Sequence, residues 1–99
     1  MNITKKVNGE TMTVSINGRL DTSTAPEFET FMNENLTEVG GLILDCEGLE
    51  YISSAGIRVL LGAYKKMNKN QGIMRIDKAN ELILEVFEMT GLLQMLGCE

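Results

Sequence analysis

The chain contains no histidine, and its 99 residues include only two cysteines. Histidine is the most common general base in enzymes and the most common metal ligand, so its absence excludes Ser-His-Asp and Cys-His nucleophiles. Cys46 and Cys98 do not have the spacing of a metal-ligand motif, and we interpret them as reduced thiols. The composition therefore argues against an enzyme and predicts neither a metal nor another cofactor.

Long apolar segments and phosphate-binding loops are also missing from the sequence. No apolar run approaches the roughly 20 residues that span a bilayer, and no apolar signal segment follows the lysines near the N-terminus. Gly40-Gly41 and Gly48 do not form the glycine-lysine pattern of a nucleotide-binding loop. We therefore expect a cytoplasmic protein that does not contact a membrane and does not hydrolyse nucleotides.

The chain contains fewer basic residues than acidic ones. Fourteen acidic residues against nine basic ones give a net charge of −5. Nucleic-acid binding rests on lysine and arginine contacts to phosphates, so we expect no direct binding to DNA or RNA and favour a protein partner. A chain of 99 residues with 43% hydrophobic residues is long enough for one modest core, so residues 1–99 are expected to form a single domain.

Hydrophobic periodicity predicts a hairpin and then a helix in the first part of the chain. The dipeptide Asn8-Gly9 is a hairpin turn signal between two alternating segments. Thr24 with Glu27 fits a capping box, and the apolar positions from Ala25 to Leu36 form one helical face. The apolar residues of the two alternating segments are Ile3, Val7, Met12, Val14 and Ile16.

The rest of the chain alternates between predicted strands and helices. Leu42 to Leu44 is a continuous apolar run, which is typical of a strand that is buried on both faces. Ile73 to Ile76 is a further core strand, and helices are predicted from Ile57 to Met67 and from Leu82 to Met89, with Gly91 as the final stop. Four methionines fall on predicted core faces, namely Met12, Met32, Met67 and Met89.

The predicted element order is β-β-α-β-α-β-α. Because the βαβ crossovers require parallel strands and the hairpin requires antiparallel ones, this order predicts an α/β fold. We expect a mixed sheet of about four to five strands with the helices mainly on one face.

The most informative segment is Ser53-Ser54-Ala55-Gly56, between a predicted strand and the second helix. A helix start leaves backbone N–H groups unpaired and carries a partial positive charge. A serine there can cap the helix, and it can also be phosphorylated because the same end of the helix tolerates an anion. From the spacing alone, capping is the favoured interpretation of Ser54.

A family resemblance changes that preference. Residues 51–61, Tyr-Ile-Ser-Ser-Ala-Gly-Ile-Arg-Val-Leu-Leu, resemble the signature segment of bacterial anti-sigma factor antagonists in the STAS domain family. Three further segments are similar to the family in the same order, namely Gly18 to Asp21, Leu42 to Asp45 and Phe87 to Leu92. The resemblance covers nearly the whole chain and implies a single STAS-like domain over residues 1–99.

The resemblance also implies the site residues. Ser54 falls on the residue that is phosphorylated in the family, with Ser53 as the second choice. Many relatives carry aspartate at the position of Ser53, so this chain has one acidic neighbour fewer and a second hydroxyl instead. Gly56 would let the backbone pack closely at the helix start; the alternative is a glycine that only weakens the helix.

Asp21 matches the family's acidic residue on the loop after the second strand. In the functional interpretation its carboxylate borders the phosphorylation site and positions the hydroxyl or the Mg²⁺ of the kinase. In the structural interpretation Asp21 is a turn residue that accepts nearby backbone N–H groups. The sequence leaves both interpretations open.

The implied function is partner switching in the control of transcription. The unphosphorylated protein would bind an anti-sigma factor that is also a serine kinase, which would release the sigma factor. The kinase would use ATP and Mg²⁺ to phosphorylate Ser54, and a serine phosphatase would reverse the modification. Two alternatives remain within the fold: a STAS subunit of a transport or stress-signalling complex whose serine is not phosphorylated, and a STAS module that binds a small ligand.

Overall fold

The computed structural model describes residues 1–37 and 39–96 of the chain. Two of its elements, β4 and α4, are absent from the predicted order, whereas the other seven follow it. The elements are β1 (Asn2–Asn8), β2 (Thr11–Leu20), α1 (Ala25–Asn35), β3 (Gly41–Asp45), β4 (Leu49–Ile52), α2 (Ser54–Lys69), β5 (Ile73–Asp77), α3 (Glu81–Met89) and α4 (Leu92–Leu96).

The strands form one mixed five-stranded sheet. β1 pairs antiparallel with β2, β3 pairs parallel with β2, and β5 pairs parallel with β3. The short strand β4 pairs parallel with the C-terminal part of β2. The predicted mixed sheet of about four to five strands is therefore confirmed.

One face of the sheet carries the core and the helices. Val14, Leu44 and Met74 on neighbouring strands are buried, and α2 packs against β4 and β5 on that face, with α1 against α2. The opposite face is open, and Ile43 lies on it partly exposed. The prediction that Leu42 to Leu44 is buried on both faces is therefore wrong, whereas the prediction of helices mainly on one face is confirmed.

The hairpin between β1 and β2 turns one residue later than the sequence pattern suggests. Asn8 pairs with Thr11, so the two loop residues are Gly9 and Glu10. Gly9 has a φ of +65°, which suits a glycine at the first position of a two-residue hairpin loop.

Three of the four methionines predicted in the core are buried there, but Met89 is 81% exposed. The inward-facing residues of α3 are Ile83 and Phe87. Met89 follows Phe87 by two residues and is therefore turned by about 200° around the helix axis, toward solvent. The helix ends at Met89, and Gly91, with a φ of +78°, then turns the chain as predicted.

Cys46 follows β3 directly and is a free, buried thiol. Burial raises its pKa to about 12, and the neighbouring carboxylates of Asp45 and Asp77 add to the effect. The thiol is therefore protonated at neutral pH, which makes it a poor nucleophile. Cys98 lies outside the described residues.

Within residues 1–37 and 39–96, every helix is too short or too polar to cross a bilayer.

Candidate functional site

β2 pairs with two strands in succession along its length. Its N-terminal half pairs with β3, and its last residues pair with β4. The change occurs at Gly18, which has a φ of +105° and whose N–H donates to the Gly48 carbonyl at 2.9 Å. A Cβ atom on Gly48 would lie 1.9 Å from Asn17 Oδ1, so a larger residue there requires the exposed Asn17 side chain to move.

The pairing of β2 with β4 brings two loops side by side. Leu20 and Ile52 are partners at the ends of these strands, and the Ser53 N–H donates to the Leu20 carbonyl at 2.9 Å. Asp21 directly follows β2, and Ser53 directly follows β4. Both loops therefore begin at the same C-terminal edge of the sheet, as the functional interpretation of Asp21 requires.

Ser53, and not Ser54, caps α2. Ser53 has extended backbone angles, and its hydroxyl accepts the Gly56 N–H at 3.5 Å. Ser54 is the first helical residue, its side chain is exposed, and its hydroxyl makes no side-chain hydrogen bond in the described part of the chain. The prediction that Ser54 caps the helix is wrong because β4 carries the extended backbone one residue further.

Gly56 lies where the first turn of α2 crosses the ends of β2 and β4. A Cβ atom there would lie 2.7 Å from Leu20 Cγ, 2.9 Å from Ile52 Cγ1 and 3.0 Å from the Leu20 carbonyl oxygen. The close backbone packing expected at this glycine is therefore present. It sets the position of the helix start, and with it the position of Ser54.

We expect Gly56→Ala to lower the free energy of unfolding by about 1–3 kcal/mol, because the added methyl overpacks the contact with Leu20 and Ile52. Gly62 in the same helix is the matched control, since a Cβ atom there has nothing within 4 Å. Gly62→Ala should raise the free energy of unfolding by roughly 0.5–1 kcal/mol through helix propensity. Urea denaturation of both variants tests this contrast, and two changes of the same sign would contradict it.

The Asp21 carboxylate organises the loop between β2 and α1. Its Oδ1 accepts the Ser23 hydroxyl at 2.8 Å and the backbone N–H groups of Ser23 at 3.0 Å and Thr24 at 3.2 Å. The bond from the Ser23 hydroxyl is the main reason why the pKa of Asp21 is lowered; partial desolvation opposes it and the backbone bonds reinforce it. Asp21 is therefore ionised at neutral pH and does act as a turn residue.

The capping box predicted for Thr24 and Glu27 is absent. Thr24 does precede α1, but it makes no side-chain cap bond. Its hydroxyl lies 2.8 Å from the Arg19 carbonyl oxygen, to which it donates. The hydroxyl is held at the end of β2 and is therefore not available to the first turn of the helix.

The pairing of two further residues near this site is not apparent from the sequence. Arg19 and Tyr51 are partners across β2 and β4, and the Arg19 guanidinium carbon lies 4.2 Å from the centroid of the Tyr51 ring. Arg19 Nε also lies 3.7 Å from Asp21 Oδ2. Only a prediction of β4 could have revealed this pair, because the pairing of β4 with β2 is what brings residues 19 and 51 together.

The sequence matches known proteins along nearly its whole length. Residues 2–99 match the family model of the STAS domain. An anti-sigma-B factor antagonist of Bacillus subtilis (strain 168) is 25% identical over 92 residues, which cover 93% of this chain and 84% of the relative. An anti-sigma-B factor antagonist of Staphylococcus aureus (strain NCTC 8325 / PS 47) is 32% identical over 82 residues, which cover 80% of this chain and 74% of the relative.

Solved structures share the fold. The anti-sigma factor antagonist SpoIIAA in its unphosphorylated form superposes with a TM-score of 0.76 at 19% identity, over 89% of this chain and 83% of that one. The phosphorylated form of the Bacillus cell fate determinant SpoIIAA superposes with a TM-score of 0.72 at 21% identity, over 92% and 85% of the two chains. The family match, the identity to the Staphylococcus relative and the shared fold agree, and the chain belongs to the STAS domain family.

Proposed function

We propose that this protein is an anti-sigma factor antagonist that binds an anti-sigma factor with serine kinase activity, and that phosphorylation of Ser54 switches this binding off. The observation that carries the proposal is the Ser54 hydroxyl, which is exposed at the start of α2 while Ser53 does the capping. The names of the relatives support the class of partner. The protein acts in the cytoplasm and is a substrate of the kinase rather than an enzyme.

The covalent step is an ordinary phosphoryl transfer. Ser54 Oγ attacks the γ-phosphorus of ATP, the bond between that phosphorus and the β–γ bridging oxygen breaks, and ADP leaves with Mg²⁺ supplied by the kinase site. A base of the kinase takes the hydroxyl proton. Resetting is hydrolysis: a serine phosphatase uses water to release inorganic phosphate and restore the hydroxyl.

The start of α2 suits a phosphate that leaves the domain folded. A phosphoserine carries a charge of about −1.5 to −2, and the first turn of α2 contains no acidic residue to repel it. The partial positive charge of the helix start favours an anion there. Arg58 is exposed four residues later, on the same side of the helix as Ser54.

In the complex, the same charge acts against binding. A partner that covers Ser54 must strip water from the phosphate, and this desolvation is not repaid unless a cation of the partner meets it. A loss of about 2.7 kcal/mol in binding free energy is already a hundredfold in affinity. The switch therefore requires no large conformational change.

Mapping the modification tests the proposal directly. The anti-sigma kinase encoded in the same genome, with Mg-ATP, should add one phosphate to the protein, and peptide mapping should place it on Ser54. Ser54→Ala should accept none, because the acceptor oxygen is gone. Ser53→Ala is the matched control: it should accept the phosphate and lose about 1 kcal/mol of stability with the cap. Phosphate on Ser53 alone, or none at all, would overturn the proposal.

A further inference from the structure

We propose that the Arg19–Tyr51 pair is part of the partner-binding surface and binds a carboxylate side chain of the anti-sigma kinase. This inference rests on the proposed function and adds the chemistry of the contact that gives the kinase its specificity. It concerns the β2–β4 side of the site, whereas the phosphate acts at the start of α2.

The pair is held in place and is still open to a partner. The Arg19 guanidinium lies over the Tyr51 ring at 4.2 Å, and its Nε lies 3.7 Å from Asp21 Oδ2. The Arg19 side chain is nevertheless 61% exposed, and Tyr51 is 38% exposed. The ring and Asp21 therefore restrict the arginine, while the terminal nitrogens of its planar fork remain available.

This combination is characteristic of interface anchors. Arginine and tyrosine are enriched among the few residues that dominate binding free energy, and an ordered side chain loses less entropy when a partner binds. The guanidinium fork matches the two oxygens of a carboxylate, with two parallel hydrogen bonds. An exposed arginine fork backed by an aromatic ring thus fits an aspartate or glutamate side chain of the partner.

The position of the pair places it within reach of a partner that covers Ser54. Arg19 precedes Asp21 by two residues and Tyr51 precedes Ser54 by three, and three residues of chain span at most about 11 Å. A standard interface buries about 800 Å² on each partner. A circular patch of that area has a radius of about 16 Å, so a kinase centred on Ser54 also covers the pair.

A second arginine provides an internal comparison. Arg75 also pairs with an aspartate two residues later, but with both oxygens: Nε lies 3.0 Å from Asp77 Oδ1 and Nη2 lies 3.2 Å from Oδ2. Its side chain is 58% exposed, much like that of Arg19. Arg75 lies on β5, which pairs with β3 and not with β2 or β4. It therefore has similar exposure and local pairing, but its fork is already occupied by Asp77 and its strand pairs with neither of the strands that carry Arg19 and Tyr51.

Titration calorimetry of the unphosphorylated protein with the anti-sigma kinase of the same genome tests the inference. Arg19→Glu should weaken binding by at least about a hundredfold, because it places a second carboxylate opposite that of the partner. Arg75→Glu should stay within about threefold of the wild type, because the Arg75 fork is already paired with Asp77 and is not offered to the partner. Tyr51→Phe should bind like the wild type, because the ring face is kept, and Tyr51→Ala should lose about tenfold.

A charge swap then identifies the carboxylate. Each exposed aspartate and glutamate of the kinase is changed to arginine in turn, and one of these variants should bind Arg19→Glu more tightly than it binds the wild type. If none does, the pair does not bind a carboxylate and the inference is wrong.

Melting curves separate a binding effect from a folding effect. If Arg19→Glu does not fold, Arg19→Gln replaces it in the test. Arg19→Gln should bind the kinase about tenfold more weakly than the wild type. An unchanged affinity would overturn the inference. If the wild type and Arg19→Glu bind the kinase equally well, the role of the pair is wrong and the proposed function stands. A wild-type protein that does not bind the kinase at all overturns the proposed function, and this inference with it.

Discussion

A Ser54→Asp variant should remain folded and should bind the anti-sigma kinase at least about a hundredfold more weakly than the wild type. Ser54 is exposed, and no side-chain hydrogen bond of the described residues is lost when its hydroxyl is replaced. The aspartate adds a negative charge at the point where the phosphate would lie. When the kinase covers this carboxylate, the carboxylate is desolvated, and the cost of desolvation lowers the affinity.

The fold should tolerate that change or gain from it. The first turn of α2 has no acidic residue, and a carboxylate in the first turn of a helix is stabilising by about 0.3–1 kcal/mol. Arg58, one turn later, adds a favourable pair at the i, i+4 spacing. We therefore expect a thermal midpoint equal to that of the wild type or slightly above it.

Ser54→Asn is the matched control, because it has the size of aspartate without the charge. Thermal melts and binding isotherms of both variants separate charge from shape. Affinity close to the wild type for Asn and a large loss for Asp would support the electrostatic mechanism. Equal losses in both variants would instead assign the effect to steric exclusion.

If the Asp21 carboxylate positions the Ser54 hydroxyl or the Mg²⁺ of the kinase, Asp21→Asn should slow phosphoryl transfer to Ser54 by about ten- to a hundredfold. Asp21 is ionised and begins the loop beside the one that carries Ser54. Its Oδ1 bonds to Ser23 and Thr24 can be made by an amide oxygen as well, so the loop should keep its conformation. Single-turnover phosphorylation rates with saturating kinase measure the effect.

The control for this variant is Asp77→Asn, which removes a carboxylate at the end of β5. Its transfer rate should equal that of the wild type. A normal transfer rate in Asp21→Asn together with a loss of stability would show that Asp21 is only a turn residue. The two roles are thus separated by rate and melting temperature measured on the same samples.

The pH dependence of stability gives a further readout of the Asp21 turn. The pKa of Asp21 is lowered from its ordinary value of 3.8, chiefly by the Ser23 hydroxyl bond. A group whose pKa is lower in the folded state contributes stability above its unfolded pKa and loses that contribution as the pH falls through the folded one. The difference in stability between the wild type and Asp21→Asn should therefore shrink as the pH falls below 3.8.

The sequence predicted the elements with strong periodicity and missed the one that organises the site. β4 is a four-residue strand that follows a short turn, and its burial pattern is buried, exposed, exposed, buried, without the alternation of a regular strand. It pairs with β2 from Gly18 onward, beyond the part of β2 that pairs with β3, and its register shifts by one residue after Gly18. No local pattern encodes this pairing, because it arises from tertiary contact between residues about thirty positions apart.

The same omission explains the error at the serines. Without β4 the helix start was assigned from hydroxyl spacing alone, and either serine satisfies that signal. Once β4 extends through Ile52, Ser53 becomes the cap and Ser54 is left exposed. The Arg19–Tyr51 pair could not be predicted for the same reason. Close packing at Gly56 was one of two interpretations that the sequence left open, and the contact with Ile52 of β4 decides between them.

The most direct test of the partner switch is the affinity of the kinase for one preparation of this protein before and after it is phosphorylated on Ser54. The modified sample is brought to one phosphate per chain, its site is mapped, and its thermal midpoint is measured beside the titration. We predict an affinity at least about a hundredfold lower with an unchanged midpoint. Equal affinity of the two forms, with the phosphate on Ser54, would contradict the account.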